Sequence, residues 1–402
     1  MAPIHPPRRA TRRTRQVARS APGHDTGAVR PATVTAAAVT SILGLGAAAV
    51  AAGRHAGGAA LRSPSGRPLP ADRGLTVHAT AAGRVTLTRS LTALRPGTYG
   101  LVGDDLHAVV GPVLEHVSHA PDTVVRRLER VDRGTLEPGA RVRISPQLYS
   151  GDPSVLGLGH DEVEIPGELG TLPAWFLPGP RDTWVITVHG LGTTREHPMN
   201  VMGLLHELRL PVLDLAYRGD AGAPRPPDGL AHLGESEWRD LDAAIRFAVR
   251  YGAEQIVLYG WSTGASMALH AAVNSALRDR ISGLVLDSPV LDWATTLRSL
   301  AVARGVPAAL LPLAVRAARG MTGLHGARLM DPSLASVLRA PTLIFHGPDD
   351  TLAPWQPSRE LAARRPELVA LHTVPQAPHA AMWNADPDRY EEALRRFLTP
   401  LM

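Results

Sequence analysis

The chain has 402 residues, which is long enough for one large α/β domain and a smaller domain. Its residues are 44% hydrophobic and 20% charged, which is typical of a globular protein. All 42 basic residues are arginines, and residues 1–74 hold eleven of them against only two acidic residues, whereas the remainder is mildly acidic. The folded body therefore has no basic excess to attract nucleic acid, and we expect no nucleic-acid partner. Because there is no cysteine, disulfides, thiolate metal sites and a cysteine nucleophile are excluded.

The amino-terminal region divides into three predicted parts. Residues 1–30 are polar and basic, and we expect disorder. Residues 31–53 are uncharged and long enough to cross a bilayer, which predicts a transmembrane signal anchor. The alternatives are a cleaved signal peptide, since Ala49-Val50-Ala51 fits a small-x-small cleavage site, and a mobile Ala-rich tail. The arginines before this segment favour a membrane-anchored catalytic body outside the cytoplasm, or a secreted one after cleavage. Residues 54–74 have the composition of a linker.

Residues 75–154 predict a small β-rich subdomain, because short apolar runs alternate with Gly- and Pro-containing turns. These runs cover residues 84–90, 97–103, 105–113, 122–131 and 140–145. We find no catalytic motif in this subdomain. Its histidines His107, His116 and His119 lack the carboxylate spacing of a metal site, so we expect no metal there.

From residue 155 to residue 402, apolar strands alternate with amphipathic helices after an initial hairpin, which predicts a mostly parallel sheet covered by helices on both faces. The predicted strands after the hairpin are residues 183–190, 211–217, 255–260, 283–289, 341–347 and 369–375. Between about 291 and 335 the alternation gives way to Leu/Ala-rich helical stretches. We interpret these as a small helical cap insertion over the carboxyl edge of the sheet.

Three side chains with the chemistry of a catalytic triad follow three of these strands. Ser262 lies in Gly260-Trp261-Ser262-Thr263-Gly264, and the G-x-S-x-G spacing places a serine on a sharp strand-to-helix turn. Asp350 and His379 follow later strands in the order Ser, Asp, His. In this interpretation Ser262 is the nucleophile, His379 the general base, and Asp350 the acid that orients the imidazole. Asp349 and Asp287 are the alternative acids.

The predicted oxyanion hole consists of two backbone N–H groups. One belongs to Thr263, directly after the serine, and the other to Leu191 in the loop His189-Gly190-Leu191-Gly192. His189 itself is interpreted as a residue that braces this loop.

With its HGxG loop, its G-x-S-x-G turn, its HGxxDxxxP acid loop and its late histidine, the region from about 160 to 400 resembles the α/β-hydrolase family. More narrowly, it is similar to the serine-aminopeptidase-like and esterase-like branch of actinobacteria, in which a membrane-anchoring segment is common. The resemblance implies the α/β-hydrolase fold, the catalytic roles given above and no cofactor. It does not extend to residues 75–150. The sequence departs from the family pattern in Pro378, where Gly usually precedes the histidine, and in Ala353, where Val is commoner.

The function predicted from these residues is that of a serine hydrolase working through an acyl-enzyme, on a carboxylic ester carried by a small-molecule or lipid-like substrate. The alternatives are an aminopeptidase-like serine peptidase, an acyltransferase and, in another class, a non-catalytic membrane-tethered binding protein. Candidate substrate-binding residues are Arg218, Trp261 and Trp293. For Arg218, as for Arg195, a salt-bridge network that stiffens the loops is the competing interpretation, and for the two tryptophans it is packing.

Overall fold

A computed structural model describes residues 48–62, 74–322 and 337–402 of the chain. The predicted disordered tail 1–30, most of the predicted transmembrane segment 31–53, and the end of the predicted cap lie outside the described residues. The described part of the chain contains a β-barrel and an α/β domain.

The β-rich region folds as a closed six-stranded barrel with the strand order β1-β2-β5-β4-β3-β6. Its strands are β1 Leu75–Ala81, β2 Arg84–Thr88, β3 Tyr99–Val102, β4 His107–Val113, β5 Thr123–Arg133 and β6 Arg141–Ser145. Alternation along the strands explains the closed form, because residues such as Val85 and Leu87 point inward while their neighbours are more exposed. Closure also leaves no free sheet edge.

The α/β domain is built on an eight-stranded sheet of order β14-β13-β12-β11-β9-β10-β8-β7. Its strands are β7 Asp161–Pro166, β8 Thr171–Leu177, β9 Thr183–Val188, β10 Val212–Leu215, β11 Gln255–Trp261, β12 Ile281–Asp287, β13 Thr342–His346 and β14 Val369–Thr373. Strands β7 and β8 form the antiparallel hairpin expected from the sequence, and β8 also pairs antiparallel with β10. The remaining neighbours in the sheet, from β10 through β9 to β14, pair in parallel. All residues of β9, β10 and β13 are buried, as strands covered on both faces require.

Helices cover both faces of this sheet. They are α2 Met199–Glu207, α3 Trp238–Arg250, α4 Thr263–Asn274, α5 Trp293–Ala303, α6 Leu311–Thr322, α7 Gln356–Arg364, α8 Met382–Ala385 and α9 Pro387–Leu398, after a helix α1 described over residues 48–61. One core lies under α3, α4 and α7, and a second lies under α2, α8 and α9. In α3 the buried residues Leu241, Ala244, Ile245 and Ala248 recur at helical spacing, so they face the sheet together.

The barrel is fixed to the α/β domain by hydrogen bonds from two buried asparagines. The Nδ2 group of Asn384 in α8 donates to the carbonyls of Thr98 and Pro146 at 2.9 and 3.0 Å. Asn200 in α2 donates to the same Pro146 carbonyl and accepts from the Leu148 N–H. Ala381, which belongs to the α/β domain, is part of the barrel's hydrophobic core. The two parts therefore share buried surface beside the His379 loop.

Helix α1 corrects one prediction about the amino-terminal region. Residues 54–61 were expected to begin a linker, but they continue this helix. Its small buried residues Gly53, Ala56, Gly57 and Ala60 follow helical spacing and form one face. At Gly53 and Gly57 this face lies directly against the backbone of α6, where an added Cβ would come within 2.9 Å of a carbonyl oxygen. Helix α1 therefore packs against α6 through this face.

The transmembrane prediction is wrong for the part of the chain that the structure describes. Among residues 48–62, 74–322 and 337–402, no helix has both the length and the apolarity that a membrane span requires.

The cap region contains α5 and α6, in agreement with the helical insertion expected between 291 and 335. Trp293 and Leu297 of α5 pack with Leu191, Leu352 and the end of α1 at Leu61. The cap therefore lies beside the loops that follow β9 and β13, at the carboxyl edge of the sheet.

Candidate active site

Ser262 occupies a strained turn between β11 and α4. Its backbone has φ 52° and ψ −114°, a conformation that a non-glycine residue rarely adopts. The flanking glycines make this turn possible. A Cβ on Gly260 would lie 2.3 Å from the backbone of Gly264, and one on Gly264 would lie 2.1 Å from the Val188 carbonyl. The G-x-S-x-G spacing therefore reflects close backbone approaches on both sides of the serine.

The structure brings together the three residues predicted to form the triad. Ser262 Oγ lies 2.7 Å from Nε2 of His379, and Nδ1 of His379 lies 2.7 Å from Oδ2 of Asp350. These residues follow β11, β14 and β13, whose carboxyl ends meet at one edge of the parallel sheet. The serine and the aspartate are buried, and the side chain of His379 is 10% exposed.

Asp350 is held in its ionised form by four hydrogen-bond donors. Oδ1 accepts from the N–H groups of Leu352 and Ala353, and Oδ2 accepts from His379 and from Nε2 of His346 at 3.1 Å. Burial opposes ionisation, but the charge of His379 and the bonds from both histidines lower the pKa of Asp350 well below its usual range. Nδ1 of His346 pairs with the hydroxyl of Ser358, which fixes this second histidine as part of the acid's support.

The two alternative acids have other partners. Asp349 is exposed, and its carboxylate accepts from the Gln376 N–H at the start of the His379 loop. Asp287 is buried and accepts hydrogen bonds from Ser288 and Tyr390, and burial raises its pKa to about 7. The Ser288 hydroxyl in turn accepts from the Ala380 N–H. Both aspartates thus brace the histidine loop, and the carboxylate that accepts the hydrogen bond of His379 Nδ1 is that of Asp350.

The predicted oxyanion donors lie on either side of Ser262. Thr263 begins α4, so its N–H is among those that a helix leaves without an intrahelical acceptor. Leu191 follows Gly190, where a Cβ would lie 2.9 Å from the Cβ of Ser262, so only glycine allows this loop to approach the serine so closely.

His189 has the bracing position expected from the sequence. Its ring stacks on Tyr217 with centroids 4.7 Å apart, and Nε2 lies 2.8 Å from the Asp220 carboxylate. Burial disfavours the charged ring, but the carboxylate outweighs this effect and raises the pKa of His189. This contact connects the oxyanion loop to the loop after β10.

None of the three candidate substrate-binding residues lies in the wall of the cavity that contains Ser262. The guanidinium of Arg218 donates to both carboxylate oxygens of Asp240 and to Glu168, so it serves the salt-bridge role. Trp261 is fully buried and stacks on Tyr259 at 4.1 Å, whereas Trp293 packs in the cap under the Arg319 guanidinium. Ion pairing and packing occupy these three side chains, as in the competing structural interpretation, and Arg218 also lines a separate cavity of about 650 Å³ that reaches Leu191 and Thr263.

Arg195 also makes structural contacts. Its guanidinium lies 4.1 Å from the centre of the Trp175 ring and 3.8 Å from Glu162.

The cavity beside Ser262 has a volume of about 240 Å³. One side is formed by the loops of the α/β domain, including Leu191, Leu352 and His379. The other side is formed by the barrel and the segment that leaves it: Leu91, Thr92, Arg95, Tyr99, Ile144, Ser145, Pro146 and Gln147. Sequence reasoning missed this second wall, because no motif marks these residues.

No metal site is evident in the described ranges, where no three His, Cys, Asp or Glu side chains are grouped as a metal ion would need. His107, one of the barrel histidines considered from the sequence, is paired with Asp132 at 2.8 Å.

Comparisons with known families match the barrel and the α/β domain separately. A family described as "alpha/beta hydrolase fold" matches residues 183–306, and a family described as "Domain of unknown function (DUF8805)" matches residues 76–145. The uncharacterized protein YfhR of Escherichia coli O157:H7 is 25% identical over 266 residues, which cover 63% of this chain and 84% of that protein. YfhR of Escherichia coli strain K12 is 24% identical over the same lengths.

Solved structures of the Pyrococcus furiosus esterase Pf2001 share the fold. One superposes with a TM-score of 0.53 and 22% identity, covering 63% of this chain and 95% of the other. A second crystal form of that esterase gives 0.51 with the same identity and 94% coverage of that chain. With its sheet order, its strained serine turn and its similarity to these proteins, this chain has the α/β-hydrolase fold.

Proposed function

We propose that this protein is a serine hydrolase that cleaves carboxylic esters through an acyl-enzyme. The observation that carries the proposal is the continuous hydrogen-bonded chain from Ser262 Oγ through both ring nitrogens of His379 to Asp350, with 2.7 Å at each step. A hydroxyl next to an oriented base is the arrangement that nucleophilic catalysis needs.

In the first half of the reaction, Ser262 Oγ attacks the ester carbonyl carbon while Nε2 of His379 takes the hydroxyl proton. The carbonyl oxygen becomes an oxyanion, which the N–H groups of Leu191 and Thr263 stabilise. Loss of one such donor typically lowers the rate by about 10²–10³. When the tetrahedral intermediate collapses, His379 returns its proton to the leaving alcohol and the acyl group stays on Ser262.

In the second half, water attacks the acyl-enzyme and its proton passes to His379. Collapse of the second tetrahedral intermediate releases the carboxylic acid and returns the proton to Ser262. Asp350 remains ionised throughout, because its lowered pKa keeps the carboxylate available to stabilise the imidazolium.

The chemistry of the cavity favours an ester over a peptide with a free amino terminus. An aminopeptidase needs acidic side chains to hold the substrate amine, and the described residues lining this cavity include no Asp or Glu. In the neighbouring cavity that shares Leu191, Asp220 and Glu237 already accept hydrogen bonds from His189 and from main-chain N–H groups. The name of the Pyrococcus furiosus protein, an esterase with the same fold, supports the same assignment.

The test is labelling with a fluorophosphonate probe. Wild type should be labelled and Ser262→Ala should not. Ser266→Ala removes a buried hydroxyl one helical turn further along α4 and should leave labelling intact. Folded wild type that fails to react would disprove the proposal.

Rates on p-nitrophenyl butyrate and alanine p-nitroanilide would then separate an esterase from a peptidase. Addition of an acceptor alcohol would show whether acyl transfer competes with hydrolysis.

A further inference from the structure

The barrel supplies one wall of the cavity that contains Ser262. Arg95 and Tyr99 come from the loop before β3 and from its first residue, and both line this cavity. This cavity of about 240 Å³ is smaller than the typical site for a drug-sized ligand, so the part of the substrate that lies against the barrel is short. The barrel is therefore part of the site and restricts what can reach the serine.

Two polar atoms of this wall have no hydrogen-bond partner among the described residues. They are Nη1 of Arg95 and the hydroxyl of Tyr99, and both are shielded from solvent. Tyr99 is fully buried, and burial raises its pKa to about 12, so its hydroxyl keeps its proton and can donate. Buried donors without acceptors are uncommon in folded proteins, because each costs the free energy of its lost hydration.

A second arginine shapes the loop and adds positive charge beneath it. Arg126 is fully buried, and its guanidinium donates to the carbonyls of Ala93, Arg95 and Gly97 as well as Gly111, at 2.7–3.0 Å. Burial lowers its pKa to about 10, which leaves it protonated at neutral pH. Its guanidinium carbon lies 5.6 Å from the centre of the Tyr99 ring.

The charge of this wall has no acidic counterpart. The described residues that line the cavity include Arg95 but no Asp or Glu, and the hydrogen bonds of Arg126 go to main-chain carbonyls. Two guanidinium groups next to an unpaired hydroxyl make a positive region at one wall of a small cavity. An anionic group is the ligand that such a region favours.

The loop is held in a fixed position relative to the catalytic histidine. The Thr98 N–H donates to the carbonyl of Asn384, whose side chain donates back to the Thr98 carbonyl, both at 2.9 Å. At Gly97, with φ 93°, a Cβ would lie 1.9 Å from the Asn384 carbonyl. Asn384 follows His379 by five residues, so the positive wall and the catalytic base are parts of one packed unit.

We propose that Arg95 and the Tyr99 hydroxyl form an anion-binding subsite, so that the substrate is a short ester that carries a carboxylate near its scissile carbonyl. The inference rests on the proposed esterase function and adds the substrate class. The carboxylate can belong to the acyl part, as in a hemiester of a dicarboxylic acid, or to the alcohol part, as in an ester of a hydroxy acid.

The test compares each anionic ester with a neutral analogue of nearly the same shape. Monoethyl succinate is paired with ethyl levulinate for the acyl part, and acetoxyacetate is paired with acetoxyacetone for the alcohol part. Hydrolysis is followed by pH-stat titration with purified protein. We expect wild type to favour the anionic member of one pair at least ten-fold in kcat/KM, and that pair identifies the side that carries the carboxylate.

The variants separate recognition from general damage. Arg95→Gln should lower the anionic-to-neutral ratio about ten- to a hundred-fold, because a hydrogen bond to a charged group is lost. Arg95→Lys should restore part of the ratio, and Tyr99→Phe should lower it by a smaller factor. Arg84→Gln changes an exposed arginine of the same barrel and should leave both rates unchanged.

The outcomes distinguish this inference from the proposed function. If the fluorophosphonate probe labels Ser262 and neutral esters are hydrolysed without any preference for anions, only the anion subsite is refuted. The subsite is also refuted if Arg95→Gln lowers both members of a pair equally. If no ester is hydrolysed and no label is incorporated, the proposed function itself fails.

Discussion

Replacement of Asp350 by asparagine tests whether the position of this carboxylate determines catalysis. An asparagine has the same shape but offers one acceptor oxygen and one donor NH₂ group. Oδ1 of Asp350 accepts from two main-chain N–H groups, which cannot change their direction, whereas Oδ2 accepts from His379 and His346. The new amide in the Asp350→Asn variant should therefore direct its oxygen at the main chain and its NH₂ group at the histidines.

This orientation predicts a large loss of rate with little change in structure. Nδ1 of His379 would have to accept a hydrogen bond, so the ring proton would move to Nε2, the atom that must take the proton of Ser262. His346 can adapt, because its other nitrogen faces a hydroxyl that can rotate. In a triad this wrong tautomer lowers kcat by roughly 10⁴, and we expect a similar loss here with KM nearly unchanged.

The assay is the hydrolysis of p-nitrophenyl butyrate by Asp350→Asn, with Asp287→Asn as the matched control. Asp287 is equally buried, but its carboxylate accepts from Ser288 and Tyr390, so its replacement should lower kcat less than about ten-fold. Circular dichroism should show both variants folded. An equal loss in the two variants, or more than a tenth of wild-type activity in Asp350→Asn, would refute the reasoning.

Three further predictions concern the buried Asp287, the serine turn and the contact that holds the barrel. Burial raises the pKa of Asp287 to about 7, so the wild type loses stability as pH rises from about 4 to 7. Relative to the wild type, the unfolding free energy of Asp287→Asn should therefore rise by up to about 1.4 kcal/mol per pH unit over that range. Urea unfolding at pH 5 and pH 8 measures this difference, and a gap independent of pH would contradict it. Gly264→Ala should distort the serine turn, because its Cβ would lie 2.1 Å from the Val188 carbonyl, and should abolish probe labelling. Gly203→Ala in α2 meets no atom within 4 Å and should stabilise the protein by about 0.5–1 kcal/mol. Asn384→Ala should cost about 1–3 kcal/mol and increase hydrogen exchange in the barrel, since the Thr98 carbonyl loses its side-chain donor and the Pro146 carbonyl keeps only that of Asn200. Unchanged exchange would show that this contact does not hold the barrel.

The sequence was sufficient to predict the α/β fold and the identity of the triad residues that now lie together. Strands buried on both faces give continuous apolar runs, and the parallel sheet that they imply brings the ends of β11, β13 and β14 to one edge. The glycines at 260 and 264 could be interpreted because close backbone approach is a local requirement. The catalytic roles of the three triad residues stay predictions until the activity is measured.

What the sequence could not show were the contacts between distant parts of the chain. The apolar runs of residues 75–145 predicted strands, but neither the closure of the barrel nor its docking beside His379 follows from strand periodicity. Arg95 lies in an ordinary turn sequence, and only the folded chain shows that it lines the cavity of Ser262. Helix α1 was misjudged because Ala and Gly give a weak apolar signal. Their role is steric, since small side chains at Gly53 and Gly57 let the helix contact the backbone of α6.

The barrel affects both substrate access and the stability of the catalytic loop, because the same contacts serve both. The Ala380 N–H is held by Ser288, Ala381 is buried in the barrel core, and Asn384 is bonded to Thr98. The segment that carries His379 is therefore anchored on one side by the sheet and on the other by the barrel. A change that loosens the barrel should alter the position of the base as well as the positive wall. For this reason Asn384→Ala should affect kcat and KM together, whereas Arg95→Gln should act mainly on the selectivity for anionic esters.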